Sequence, residues 1–303
     1  MNLSNECLRI DAEKFCKTTQ KFIKEKMHEL RRNGIVIPIS GGLDSSVVAC
    51  LCVNAVGRNI VKGLLIPEKQ GNPEAEMYAG ILAGFLRIRT ERIDISRILK
   101  SLGTYRFILN KIPSYRLKAK LVRKYLDPSR ENMFLKGIKG TSNKFINRAI
   151  ASFYTKQRVR LVATYKFAEE NNLLVAGSAN KSEDMVGLYV KFGIDDNADL
   201  MPLKNLFRTH IIQLAEFLKV PREIIIRTPN PDLIPGVSDK YMDILRIDWK
   251  KLDLILYGLE KGMDTNSLAQ QLNMIDKRIE QIKEIVELTY HMRHHSMAPT
   301  FEL

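Results

Sequence analysis

Apolar residues at helical spacing open the chain. Leu8, Phe15, Phe22, Ile23, Met27 and Leu30 alternate with charged positions and predict an amphipathic helix over 8–32. Gly34 breaks that pattern, and the apolar run Ile35–Ile39 has the length of a buried strand. The turn SGGLDSS follows directly and opens a helix through VVACLCVNAV. A strand at Ile60–Ile66, a helix from about Pro73 to Leu86 and a strand at Arg89–Ile93 come next. The period is lost over about 97–150, which carries Pro113, Pro128, Gly137 and Gly140 and reads as an insertion. Order resumes with a helix at about 155–171, a strand at Leu173–Ala176, a loop beginning GSANKSED and a helix at about 206–218. A proline-rich turn region, 227–236, precedes three short helices from Trp249, the last at about 275–293. Strands alternating with helices predict an α/β fold: three layers around a parallel sheet of about five strands, with a helical C-terminal portion. The expected organisation is a single domain, with the N-terminal helix 8–32, a core of about 34–96 and 150–235, the insertion, and a helical region of about 240–303.

Composition alters this picture little. A 303-residue chain that is 45% hydrophobic can bury a sizeable core. No apolar run approaches the roughly 18 residues of a membrane span, and the N-terminus has no signal or transit pattern, so a soluble cytoplasmic protein is expected. Cys7, Cys16, Cys50 and Cys52 form no CxxC, and the last two lie in an apolar segment. Buried thiols are expected there rather than disulfides or a metal site. Charge is more informative. Residues 97–150 hold 14 Lys plus Arg against Asp127 and Glu131, which is most of the net +14. Such a block is either a solvated face or a contact for an anionic partner.

The chemistry is concentrated in Ser40-Gly41-Gly42-Leu43-Asp44-Ser45-Ser46, between a strand and a helix. Two glycines let the backbone turn sharply and approach a ligand. The helix start offers free N–H groups and partial positive charge to an anion, and the serine hydroxyls add donors. A phosphate or pyrophosphate is the natural occupant. Asp44 is unfavourable beside phosphates unless a cation lies between them, which assigns it to Mg2+. A serine-capped glycine turn is the plainer alternative. The segment is not a GxxxxGK[ST] loop, because no lysine follows the glycines.

SGGxDS resembles the pyrophosphate loop of the ATP pyrophosphatase superfamily, and three further segments resemble NAD synthetases. Lys156-Gln157-Arg158-Val159-Arg160 is similar to their KxRxR, and Gly177-Ser178-Ala179-Asn180-Lys181-Ser182-Glu183 to their GTxNxSE. Gly187 to Gly193, continuing to Ala198-Asp199-Leu200-Met201-Pro202-Leu203, is similar to their GxxTKxGD…ADxxPL. The resemblance implies a Rossmann-like, adenine nucleotide alpha hydrolase-like fold. It also implies an ammonia-dependent NAD synthetase activity, with ATP as co-substrate and Mg2+ as cofactor. The carboxylate of nicotinic acid adenine dinucleotide would be adenylated, with pyrophosphate released, and ammonia would displace AMP.

Carried over residue by residue, the resemblance implies that Ser40, Gly41, Gly42, Leu43, Asp44, Ser45 and Ser46 hold the ATP phosphates. Asp44 and Glu183 would hold Mg2+, and Ser178 would contact ATP in place of a threonine. Arg158, Lys191 and Asp199 would contact the dinucleotide, with Lys191 counted among the catalytic groups. Taken singly, Arg158 reads as a helix-surface arginine, Lys191 as a solvated lysine and Glu183 as a loop acid or helix N-terminal charge. The chain also departs from the pattern. Arg208 stands where a phosphate-binding lysine is usual, and Asn230 where a threonine touches ATP. Ile194-Asp195-Asp196-Asn197 replaces a GDGG-like turn with one residue more. His294 and His295 lie where a His-Lys pair reaches the substrate. No room is evident for an amidase domain, so free ammonia, or ammonia from a separate partner, is expected. A homodimer is also inherited from the resemblance.

Three alternatives remain open at this stage. A tRNA-modifying enzyme on the same loop would use the basic block for phosphate backbones, but leaves the segments 177–183 and 187–203 unexplained. An amide-forming ligase for another small carboxylate would keep the ATP residues and alter the acceptor pocket. A silent nucleotide-binding or RNA-binding module would have no need of both carboxylates.

Overall fold

The computed structural model describes residues 3–107, 133–230 and 237–294, together with 112, 117, 120 and 121. Four parallel strands form the sheet: β1 (Gly34–Pro38), β2 (Val61–Leu65), β3 (Arg89–Arg92) and β4 (Leu173–Val175), in the order β3-β2-β1-β4. In the register, Val36 lies opposite Lys62 on one side and Val175 on the other. Ile35, Val36 and Ile37 are fully buried, which is why β1 reads as an unbroken apolar run rather than an alternating one.

Successive side chains of β1 feed two cores. Ile35 and Ile37 pack with α1 (Ala12–Glu29) and α2 (Leu43–Val56) on one face. Val36 packs with Leu99 of α4 (Ser96–Ser101), and with Val159 and Ala163, on the other. The crossover α3 (Pro73–Leu86) joins β2 to β3, starting at an Asn72 cap with proline in its first turn. Burial lifts the Cys50 thiol to about 12, and Cys16, Cys50 and Cys52 are free and buried among the core residues. The expectation of buried thiols holds for these three.

Two parts of the sequence reading need correction. The helix expected at about 155–171 is α6 (Lys144–Glu170), 27 residues long, and its first turns lie inside the basic block. Asn143 caps it, accepting from the N–H groups of Phe145 and Ile146. Phe145, Ile146, Ala149, Ile150, Phe153 and Tyr154 keep helical spacing there, so the helix runs on through the end of the basic block. The short helix α5 (Met133–Lys139) precedes it; the other residues of the block from 108 to 132, apart from the four named above, lie outside the described set. The expected fifth strand is reduced, among the described residues, to a single parallel bridge between Ala176 and Leu200. The N–H of Val175 is taken by the Asp199 carboxylate at 2.8 Å, so a side chain closes the sheet edge where a strand would have paired.

Beyond β4 the loop GSANKSED becomes a short helix, α7 (Lys181–Val186), followed by α8 (Arg208–Phe217) and α9 (Arg222–Ile225). The C-terminal helices α10 (Trp249–Glu260), α11 (Thr265–Leu272) and α12 (Asp276–Leu288) bury Leu252, Ile255, Leu268, Ile279 and Ile282 in a third core. A π-helical turn, Tyr241–Leu245, places Tyr241 in that core, fully buried. Among the described residues no helix is long and apolar enough to cross a membrane.

Gly187 joins α7 to α12 by close approach. Its φ is +68°, and a Cβ there would lie 2.6 Å from Thr289 Cγ2. An alanine would therefore meet both left-handed strain and a clash. Gly187→Ala is expected to lower unfolding free energy by about 1–3 kcal/mol, read from the urea midpoint at unchanged m-value.

Candidate active site

The loop from Ser40 to Ser46 leaves the carboxyl end of β1 and turns into α2, the place where open parallel sheets bind ligands. Gly41 takes φ +71°, and a Cβ on it would come within 2.6 Å of the Ala75 carbonyl oxygen. Only glycine suits that turn. The Ser40 hydroxyl accepts from the Gly42 N–H and meets the Ser45 hydroxyl at 3.2 Å. The hydroxyls of Ser45 and Ser46 both donate to the Gly42 carbonyl. Ser46 is fully buried, so its hydroxyl shapes the loop, while Ser40, Gly42, Leu43, Asp44 and Ser45 line the cavity in front of it.

That cavity has a volume of about 570 Å³, the size of a small-molecule site. Two carboxylates converge in it. The Asn180 amide donates to Asp44 Oδ1 at 3.1 Å and to Glu183 Oε1 at 2.6 Å, and its own oxygen caps α7 by accepting the Glu183 N–H. Burial first, and then the neighbouring Glu183, push the Asp44 carboxyl above its ordinary range. Glu183 lies below its ordinary value: burial pushes it up, but the Lys240 ammonium 2.6 Å away, together with Asn180 and Arg208, outweighs that.

Arg208, at the start of α8, is 3% exposed and faces Asp44 Oδ2 at 3.7 Å. Its guanidinium lies between the rings of Tyr241 and Trp249, at 5.9 and 5.7 Å. A planar cation suits this aromatic slot better than an ammonium would, a physical reason for arginine where the sequence pattern has lysine. Arg208 Nε has no hydrogen-bond partner among the described residues.

Of the other predicted site residues, Ser178 and Asn230 line the same cavity. Arg158, Lys191, Asp199 and His294 are not among its lining residues. Arg158 donates to the Lys191 carbonyl at 3.2 Å. The Lys191 ammonium donates to the carbonyls of His291 and His294, each at 2.7 Å. Asp199 closes the sheet edge and accepts from the Tyr165 hydroxyl. His295 lies outside the described residues.

Sequence reasoning missed several groups that matter here. Lys240 follows the proline-rich turn region and carries no motif. Asp195, in the loop one residue longer than the pattern, lines the cavity and accepts from Gln157 at 2.7 Å. Burial and the nearby Glu183 lift its carboxyl to about 6. Asp253, fully buried on α10, accepts from the Ser182 hydroxyl and from the N–H and hydroxyl of Thr209. Ser182 also accepts the Arg208 N–H at 2.9 Å. Asp253 thus ties together the starts of α7 and α8, one residue from Glu183 and one from Arg208. Only its place in an amphipathic helix, an acid amid apolar neighbours, could have signalled it.

A parallel sheet with a glycine-serine loop at its first strand, and paired carboxylates at the loop mouth, defines a nucleotide-binding protein of the pyrophosphate-loop kind. The family model described as NAD synthase matches residues 15–146 and 134–296. The chain belongs to the NAD synthase family. It is 36% identical over 283 residues to an NH(3)-dependent NAD(+) synthetase of Methanocaldococcus jannaschii, covering 93% of this chain and 94% of that protein. It is 34% identical over 273 residues to the one of Coprothermobacter proteolyticus, covering 87% and 91%. In fold it resembles the solved structure of NMN synthetase from Francisella tularensis, with a TM-score of 0.71 at 20% identity, covering 97% of this chain and 100% of that one.

The cap of α8, next to Arg208, depends on a neutral histidine. The Phe207 N–H donates to His210 Nδ1, which requires a neutral imidazole. Burial, then the nearby Lys181, lower the His210 pKa from 6.5 to about 4. The unfolded chain therefore takes up a proton on His210 that the folded chain refuses as pH falls from about 6.5 to about 4. Stability from this group is complete above that window and is lost through it. Thermal midpoints of the wild type and of His210→Asn, which keeps an acceptor but cannot titrate, should diverge with a steeper wild-type decline on acidification. Parallel curves would remove His210 as the cause.

Proposed function

We propose that this chain is an ammonia-dependent NAD synthetase, converting nicotinic acid adenine dinucleotide to NAD at the expense of ATP. The observation that carries the reading is the convergence of Asp44 and Glu183 on one amide in front of the Ser40–Ser46 loop. Membership in the NAD synthase family supports it independently. The working unit proposed is the whole chain as a single domain, acting as a cytoplasmic homodimer. Sedimentation at about twice the 34.7 kDa chain mass is the expected check on the dimer.

The donor set fits Mg2+. That ion is bound by one or two carboxylates and completes its shell with substrate phosphates and water. Asp44 and Glu183 would hold the ion, which when bound neutralises phosphate charge and makes the α-phosphorus more electrophilic.

Everything else is done by the chain. The free N–H groups at the start of α2 and the hydroxyls of Ser40 and Ser45 hold phosphate oxygens, and Ser178 and Asn230 flank them. Arg208, fixed between its aromatic neighbours, stabilises charge on the departing pyrophosphate. A carboxylate oxygen of the dinucleotide attacks the α-phosphorus, the bond to pyrophosphate breaks, and a mixed anhydride with AMP forms. Ammonia then attacks the acyl carbon, the bond to AMP breaks, and a proton leaves the nitrogen. No side chain becomes covalently attached. Positioning and charge neutralisation between anionic reactants suffice. We assign Arg158, Lys191, Asp199, His294 and His295 to the dinucleotide end of the site, by family resemblance. Engagement there requires Lys191 to exchange its two carbonyl partners for substrate.

The test supplies Mg-ATP, ammonium and the dinucleotide acid, with nicotinic acid mononucleotide and glutamine as alternative acceptor and nitrogen source. NAD, AMP and pyrophosphate in equal amounts are expected with ammonium, and no NAD with glutamine. Asp44→Asn and Glu183→Gln should each lower turnover at least a hundredfold in folded protein. Turnover only with the mononucleotide would move the acceptor. Full activity in either variant would remove the metal assignment.

A further inference from the structure

The Glu183 carboxylate already has a cation on it. Lys240 Nζ lies 2.6 Å from Glu183 Oε1, with side chains only 15% and 14% exposed. The same oxygen accepts from Asn180, whose amide also reaches Asp44. The ammonium therefore sits beside the point where the two carboxylates meet, on an oxygen that a metal ion would need. It is also a cavity-lining group, sharing that surface with Ser40, Gly42 and Ser45 of the phosphate loop.

The two cations of the site differ in freedom. Arg208 is 3% exposed and held between two aromatic rings, so it cannot follow a ligand. Lys240 is a point charge on a flexible four-carbon stem, with one ring contact, to Tyr241 at 5.7 Å. A divalent ion arriving alone has to expel the ammonium from Glu183 and then remain beside it, against like-charge repulsion. An ion arriving with ATP brings phosphate oxygens that accept the displaced ammonium. Only the second event replaces each lost contact with another.

We propose that Lys240 is an internal counter-cation which closes Glu183 to a bare divalent ion and transfers to the ATP polyphosphate when metal and nucleotide arrive together. It is thus both the guard of the metal site and a phosphate-binding residue. The proposal rests on the metal reading of Asp44 and Glu183.

Binding of Mn2+, used in place of Mg2+ and followed by electron paramagnetic resonance, separates the two roles without turnover. Lys240→Met should bind Mn2+ alone on the order of tenfold more tightly than wild type, and Mn-ATP on the order of tenfold more weakly. Lys240→Arg should restore much of the ATP affinity. Opposite signs for metal and nucleotide are the signature, since general damage to the site would weaken both. If Lys240→Met is poorly folded, Lys240→Gln carries the same two measurements. Unchanged or weaker binding of Mn2+ alone, or unchanged binding of Mn-ATP, overturns the proposal. Absence of ATP-dependent Mn2+ binding in the wild type overturns it together with the metal reading. Failure of NAD synthesis with the Mn2+ pattern intact would displace only the acceptor.

Discussion

The parallel pairing of β1 with β4 is the contact from which the site follows. Val36 lies opposite Val175, so both strands end at the same edge of the sheet, and the loops leaving them must run side by side. One carries Asp44 and the other Glu183, separated by well over a hundred residues of chain. Parallel strands need a crossover, and here the crossovers hold β2, β3, the basic block and α6. The intervening chain can vary in length and charge without moving the two carboxylates, provided β1 and β4 remain neighbours.

Bringing two acids together in a partly buried cleft is unfavourable unless cations and hydrogen-bond donors answer them. The chain supplies Asn180 as a shared donor, Arg208 as a fixed cation and Lys240 as a flexible one. Two of these depend on the C-terminal helices. Trp249 of α10 forms part of the slot around Arg208, and Asp253 of the same helix ties the starts of α7 and α8. Helix α10 thus acts on the site by holding the residues that carry the charges.

The parallel sheet and the three layers were legible because buried strands and amphipathic helices write their periods directly into the chain. The loop at Ser40–Ser46 was legible because the demands of a phosphate turn are local. Less legible were the N-terminal half of α6, which lies inside a block marked by its basic charge, and the fifth strand, replaced by the Asp199 carboxylate. Lys240 gave no signal, and Asp195 and Asp253 gave only weak ones, an unusual turn and an acid amid apolar neighbours, since a lysine after a proline-rich segment, or an acid in a loop or helix, is ordinary in sequence.

By itself, then, the amino-acid order determined the class of fold and singled out the glycine-serine loop and the two carboxylates that the fold brings together. All of these are set by interactions within a few residues or by a motif confined to one turn. Tertiary structure alone decided what surrounds those carboxylates: which cation sits on Glu183, why an arginine serves at 208, and where Lys191 and Asp199 direct their polar atoms. Such partners are chosen by burial and by packing between distant segments, and a charge has no partner until the chain is folded around it.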